Sequence, residues 1–376
     1  MKIQDSLEAN TTYSFNFGDA IRDVNEGNIA KKFTYVFSTG KTLDSLTYRG
    51  KVILAETGKI DSTLIVVLHK NLADTAIAKD RPRYYTRLNG KGEFMFRFLP
   101  AGDFNVYVLE GTSNFSKTYT DSTKLFAFQN SPVTIGSKTT PDTLYAYQEA
   151  KVKPKEATPT VSAAVKLSGT NKEDKRLRYS SNLDNSQQDL LSDFTLTFNR
   201  KLGSFDSSKI VLCDTNFRKL NGYSVSMDTG KTKISLIYNW KENTPVRVLL
   251  AKDVVADTTG IILTKADTLR FVTKKESEYG SIRLRFGNLD LSRNPVLQIV
   301  QNDKIVESVP LTGTEFRRKL FHAGTFSLRI LFDKNKNGVW DSGKFFGAKR
   351  QPETVFLISK PLVIRANWDN EVNIPL

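Results

Sequence analysis

A run of hard oxygen donors stands near the C-terminus: Asp333-Lys334-Asn335-Lys336-Asn337-Gly338-Val339-Trp340-Asp341. Oxygen-bearing side chains at loop positions 1, 3, 5 and 9, glycine at 6 and a free carbonyl at 7 match the first nine positions of a calcium loop. Position 12 departs from that pattern, because Lys344 stands where a bidentate Glu belongs, unless a distant carboxylate such as Glu353 completes the shell. The pattern predicts a Ca2+ ion held by Asp333, Asn335, Asn337, Asp341 and the Val339 carbonyl, and no other cofactor. The competing reading is an Asn/Gly-rich hairpin turn, which the DKNKNG segment forms without any metal.

Residues for other chemistry are few and scattered. His69 closes the apolar run Leu64–Leu68, and His322 precedes Ala323-Gly324; neither lies near a nucleophile motif. The sequence holds no nucleophile elbow, glycine-rich phosphate loop or HExxH. One cysteine, Cys213, ends the apolar run Ile210–Leu212, where a thiol packs as a small hydrophobe. It excludes an intrachain disulfide and a zinc site built on paired cysteines. No catalytic residue emerges, and the chain reads as a non-enzymatic protein.

The elements that must position these residues are strands. TYSFNF (12–17), FTYVF (33–37), DFNVYVL (103–109), DFTLTF (193–198) and SIRLRF (281–286) alternate apolar and polar residues. Asn89-Gly90, Asn221-Gly222, Thr259-Gly260 and Asn337-Gly338 punctuate them as turns. Few segments keep a helical period for three turns. The pattern predicts an all-β chain of tandem antiparallel β-sandwiches in an elongated array.

The array repeats itself. Asp23 precedes Phe37 by the same 14 residues that separate Asp257 from Phe271. Phe94, Ala101-Gly102, Phe104, Val106 and Leu109 recur as Phe316, Ala323-Gly324, Phe326, Leu328 and Leu331, each 222 positions later. A repeat of that length is a duplicated pair of domains rather than a solenoid unit. The expected segments are an incomplete C-terminal half-domain at 1–40, a sandwich at 46–150, a linker and lead-in strand at 151–176 and sandwiches at 177–275 and 279–376. The 222 offset places Gly111, Ser113, Phe115 and Tyr119 where the calcium loop has Asp333, Asn335, Asn337 and Asp341, so only the later copy is expected to bind the ion.

These residues resemble known modules. Phe198-Asn199, Asn243-Thr244-Pro245-Val246, Asp257, Gly260 and Phe271-Val272-Thr273 are similar to a bacterial Ig-like domain of the S-layer type. Asn10-Thr11-Thr12-Tyr13, Asp19, Asp23 and Phe37-Ser38-Thr39 resemble the last half of the same domain. Leu99-Pro100-Ala101-Gly102 and Ala323-Gly324-Thr325-Phe326 are similar to transthyretin-like or carboxypeptidase-regulatory-like modules. With FGDAIRDVNEGN and DKNKNGVWDSG, the chain resembles Ig-like cell-envelope lipoproteins of the Bacteroidota. The resemblance implies an outer-membrane or cell-surface protein, attached through an N-terminal lipid that this chain lacks, and it implies no catalytic residue. Because Asp193–Trp240 has no counterpart before Asn10, the polypeptide is expected to extend upstream or to start elsewhere than Met1.

A net charge of +15, from 55 Lys and Arg against 40 Asp and Glu, favours anionic surroundings. The basic residues are spread along the chain instead of forming a block with stacked aromatics, which favours a solvated basic surface, disfavours nucleic acid and leaves anionic cell-surface material as the other reading. No segment reaches the ~18 consecutive apolar residues of a membrane-spanning helix. The functional expectation is a scaffold or accessory protein that binds other outer-membrane proteins; the alternative is a surface adhesin or a polyanion- or glycan-binding protein. Tyr84-Tyr85 beside Arg81 and Arg83 would serve the alternative, or simply form a surface strand.

Overall fold

The computed structural model describes residues 6–18, 20–30, 33–111, 117–137, 139–149 and 176–376. Asp19, Ser113, Phe115 and the linker expected at 151–176, save Arg176, lie outside the described residues. Two compact units are present, one of Met1–Ala157, Leu289–Thr312 and Ser327–Lys360, the other of Thr158–Asn288, Gly313–Phe326 and Pro361–Leu376. The chain is almost entirely β, and its strands form tandem sandwiches.

The first unit opens with a two-stranded ribbon, β1 (Thr12–Asn16) and β2 (Thr34–Ser38), which pairs Tyr13 with Phe37 and Phe15 with Tyr35. Period-two alternation puts these aromatics on one face, where Tyr13 stacks on Phe37 at 5.5 Å, yet Tyr35 stays 55% exposed.

The next nine elements build the first complete sandwich. They are β3 (Leu46–Leu54), β4 (Leu64–His69), α1 (Ala76–Lys79), β5 (Tyr84–Arg87), β6 (Glu93–Leu99), β7 (Gly102–Glu110), β8 (Leu125–Phe128), β9 (Val133–Ile135) and β10 (Asp142–Gln148), and the strand order is β5-β4-β7-β8-β10-β3-β6. β9 pairs with β7 off this path. β10 changes partners along its length: Asp142–Ala146 runs parallel to β3, and Tyr147-Gln148 runs antiparallel to β8. The alternation of β6 sends Phe94 and Phe96 into a core with Tyr48, Val52, Leu64, Val66, Leu68 and Val106. β4 breaks the alternation. All six of its residues are buried, because the opposite face of the sheet is covered as well.

In the second unit lies an Ig-like sandwich. One sheet is β11-β13-β17-β16, from β11 (Tyr179–Ser181), β13 (Phe194–Phe198), β16 (Ser224–Met227) and β17 (Lys233–Ile237). The other is β12-β20-β18-β15, from β12 (Gln187–Gln188), β15 (Ile210–Cys213), β18 (Pro245–Leu250) and β20 (Asp267–Thr273). β14 (Leu202–Phe205) and β19 (Val255–Asp257) pair beside them. The sheets meet through Phe194 stacked on Phe271 at 5.2 Å, with Trp240 edge-on to Phe271 at 5.8 Å. Each aromatic pair adds about 0.5–1.5 kcal/mol beyond its buried area.

The last strands are β21 (Tyr279–Gly287), β22 (Pro295–Gln301), β23 (Lys304–Pro310), β24 (Glu315–His322), β25 (Gly324–Phe332), β26 (Thr354–Ile364) and β27 (Asp369–Pro375). They form the sheets β24-β21-β27 and β23-β22-β25-β26. The 222 offset of the sequence repeat is preserved strand for strand, since β6 and β7 begin at 93 and 102, and β24 and β25 at 315 and 324. The pairings repeat too. β3 lies antiparallel to β6 and parallel to β10, as β21 lies antiparallel to β24 and parallel to β27. Gly102 and Gly324 open equivalent strands at φ +146° and +151°, a region that L side chains rarely adopt.

Candidate functional site

The loop after β25 gathers the expected cation donors. Asp333 is 1% exposed, and its two carboxylate oxygens accept from the backbone N–H groups of Lys336 at 2.7 Å and Gly338 at 2.6 Å. Asn335 and Asn337 direct their carboxamides at one oxygen of Asp341, at 2.6 and 2.9 Å. Val339 is 65% exposed, and its N–H donates to the Asn337 side chain at 2.7 Å. Glu353 joins from outside the motif: 3% exposed, it accepts from Lys334 N–H at 2.6 Å and Asp341 N–H at 3.1 Å.

The donors are therefore together and chemically hard, as calcium requires. They are also engaged with one another and with backbone amides, so the turn closes on protein hydrogen bonds alone. Among the described residues no three His, Cys, Asp or Glu side chains converge as a metal cluster.

Immediately beyond, the same loop lies on the outer face of the β4-β7-β8-β10 layer. Phe345, 1% exposed, enters a cluster of Ile65, Val67, Tyr107, Phe126, Phe128 and Tyr147. Its ring meets Phe126 at 5.1 Å and Phe128 at 5.0 Å. Phe346 stacks on Tyr119 at 6.1 Å. Polar ends fix the register of this contact. Ser342 Oγ donates to the Gln148 carbonyl at 2.6 Å, Gln351 Nε2 to the Phe128 carbonyl at 2.9 Å and Val355 N to the Ala55 carbonyl at 2.9 Å. Gly343 is required by proximity: a Cβ there would sit 2.6 Å from the Tyr147 ring. The loop of the later copy thus docks on the earlier sandwich, a contact the sequence reading missed. The adjacent pair Phe345-Phe346 in a Lys-, Gly- and Arg-rich loop is the signal that could have revealed it.

The two histidines have separate partners. His69 is 2% exposed with its ring edge-on to Tyr107 at 5.7 Å; burial pushes its pKa below the ordinary 6.5, and the Asp80 carboxylate only partly offsets this. His322 Nδ1 lies 3.4 Å from Asp189, and its ring packs near Tyr279. Cys213 is fully buried, and burial raises its thiol pKa. In the basic-aromatic pair of β5, Tyr84 turns inward onto Phe104 at 5.9 Å, and Tyr85, 55% exposed, is capped by Lys117 at 4.4 Å. Arg83 is bound to Glu8 at 2.6 Å. That segment is a surface strand.

No helix among the described residues is long and apolar enough to cross a membrane. No protein-family model matches the chain. No curated protein matches it either. Similar solved structures include native alpha-2-macroglobulin from Escherichia coli, spanning domains MG0-NIE-MG1, at 13% identity and a TM-score of 0.25, over 49% of this chain and 72% of that one. BcpA, the major pilin subunit of Bacillus cereus, is 10% identical with a TM-score of 0.21, over 88% of this chain and 99% of that one. The major pilin SpaD of Corynebacterium diphtheriae is 9% identical with a TM-score of 0.18, over 88% and 96%. Likenesses this low carry no functional argument, and the fold stands on the sheets described above.

Proposed function

We propose that the chain is a non-enzymatic scaffold of the bacterial cell envelope, held at the outer membrane or cell surface, that binds other envelope proteins. One observation carries the reading: the loop Ser342–Val355 clasps the sandwich of β3–β10 through a buried phenylalanine and main-chain hydrogen bonds. The loop spends its length on packing within one compact unit rather than on lining a pocket, which suits a structural role. Co-purification of the tagged full chain from its native envelope, followed by size-exclusion chromatography, tests this. A partner co-eluting in fixed ratio supports the scaffold; elution of the chain alone counts against it.

A second reading is favoured by the convergence of the Asn335 and Asn337 carboxamides on Asp341. Rotating each amide by 180° exchanges its NH2 for an oxygen acceptor, so the same side chains would face a cation. We infer that Asp333, Asn335, Asn337, Asp341 and the Val339 carbonyl take a weakly held calcium ion, which would add stability by mass action. Melting the full chain in millimolar calcium and in chelator checks it. A rise in Tm that disappears in Asp341→Ala supports the site, and equal melting temperatures remove it.

A further inference from the structure

The outer surface of the β3–β6 pair carries a cationic pocket with an internal control elsewhere in the chain. Ser45, Thr47, Arg49, Met95, Arg97 and Phe98 line a cavity of about 390 Å³, at the small end of the range for sites that hold small molecules. A β-bulge builds it. Leu46 pairs with Leu99 and Tyr48 with Phe96, so Arg97 and Phe98 together oppose Thr47. The extra residue re-aims its neighbours, as bulges do. Phe98 is driven to φ +58°, a conformation that is a genuine outlier for a bulky side chain.

The later copy keeps the bulge and loses the pocket chemistry. There Gly280 pairs with Phe321 and Ile282 with Arg318, so Lys319 and Leu320 oppose Ser281. Leu320 does not enter the left-handed region. The arginine equivalent to Arg49 is Arg283, which is bound by Glu315 and Glu371; Arg285 pairs with Glu371 at 3.0 Å and Arg317 with Glu315 at 2.8 Å. In the earlier copy, Arg49 and Arg97 are exposed, neither forms an ion pair among the described residues, and Arg97 Nε donates only to the Met95 sulfur at 3.2 Å. In the later copy Glu371 and Glu315 neutralise the arginines; in the earlier copy Glu93, the counterpart of Glu315, accepts from Asn89 Nδ2 at 2.9 Å instead, and Arg49 and Arg97 stay open beside two hydroxyls and an aromatic ring.

We propose that this pocket binds an acidic sugar unit of an anionic polysaccharide. The guanidinium groups of Arg49 and Arg97 would take the carboxylate, Ser45 and Thr47 would meet ring hydroxyls, and Phe98 with Met95 would lie against the apolar face of the sugar. Guanidinium forks suit planar carboxylates and keep their charge at every physiological pH. A single pocket of two arginines with an apolar wall favours one sugar over a nucleic acid, which needs a track of phosphate contacts. The proposal goes beyond the scaffold reading and does not depend on it, because purified protein suffices to test it.

The experiment titrates the full chain with polygalacturonate by calorimetry, with neutral dextran and a single-stranded RNA as comparators. Arg49→Met with Arg97→Met is expected to weaken polygalacturonate binding by at least about tenfold, the loss typical of charge-assisted hydrogen bonds. Lys241→Met with Lys252→Met removes the same charge from exposed positions and is expected to change affinity less than about twofold. All four side chains are exposed, and melting curves check that each variant folds. Equal weakening by both pairs would reduce the effect to overall charge and overturn the proposal. So would the absence of polygalacturonate binding, or RNA binding that is as tight and equally sensitive to the arginine pair.

Discussion

Asp257 shows what one carboxylate does for a sandwich edge. Burial alone would raise its pKa, but hydrogen bonds from the Thr259 hydroxyl, the Ile261 and Thr259 N–H groups and Arg200 outweigh this and hold it far below the usual carboxylate range. A depressed pKa contributes stability that is present above the unfolded value and is lost as pH falls through the folded one. The Ig-like sandwich is therefore expected to lose stability in acid, and Asp257→Asn to flatten that loss below pH ~4 in denaturant titrations. His69 works in the same direction at higher pH, through burial rather than hydrogen bonding. Its lowered pKa means that the folded state binds fewer protons, so stability declines as pH drops below 6.5. His69→Phe is expected to remove the slope that sets in below pH ~6.5; an unchanged slope would refute the assignment. The Asp turns were legible, because Asp followed by Asn, Gly or Thr favours a bond to the N–H two residues on, and Asp23 and Asp257 both make it, at 3.3 and 2.8 Å. The neutral burial of His69 was not legible, because it depends on Tyr107 and Asp80, which come from other elements.

Among the elements, the loop from Asp333 to Glu353 divides into a turn closed on its own donors and a clasp. Truncating Phe345 to Ala is expected to cost about 3–5 kcal/mol, as for other large aromatics removed from a packed site. Gly343→Ala is expected to disturb the same contact through the Tyr147 ring. Hydrogen exchange separates clasp from core: both variants should expose amides of the loop and of β8 before those of β6. Protection lost evenly across the sheet would mean that Phe345 only fills volume. The run Leu64–Leu68 was legible as an apolar stretch, and in the structure all of β4 is buried because both its faces are covered. What covers it could not be read locally. Phe345 lies more than 200 residues away, and no periodicity carries information across that separation. The Asp333–Asp341 segment was legible as an Asn/Gly turn and forms one, and Glu353 accepts from its Lys334 and Asp341 N–H groups.

At the scale of the molecule, duplication is the organising fact. The strand starts at 93, 102, 315 and 324 reproduce the sequence offset, and equivalent glycines hold equivalent conformations. Gly102→Ala and Gly324→Ala are each expected to destabilise by more than about 1 kcal/mol, because alanine at such φ is strained. The fold class was legible because sandwiches are written in short-range alternation and turns. Divergence between the copies was partly hidden, because ion pairing on the β21–β24–β27 face and open arginines on the β3–β6 face arise from single carboxylates within otherwise similar strands. The scaffold reading makes one demand above all others, that the intact protein occupies a defined assembly. Crosslinking the tagged full chain in its native envelope, then measuring mass and composition of the purified complex, tests that directly. The account predicts a complex of fixed stoichiometry with at least one other envelope protein, preserved in Arg49→Met with Arg97→Met and weakened in Phe345→Ala. Recovery of the chain alone at its own mass of 42.3 kDa would contradict it.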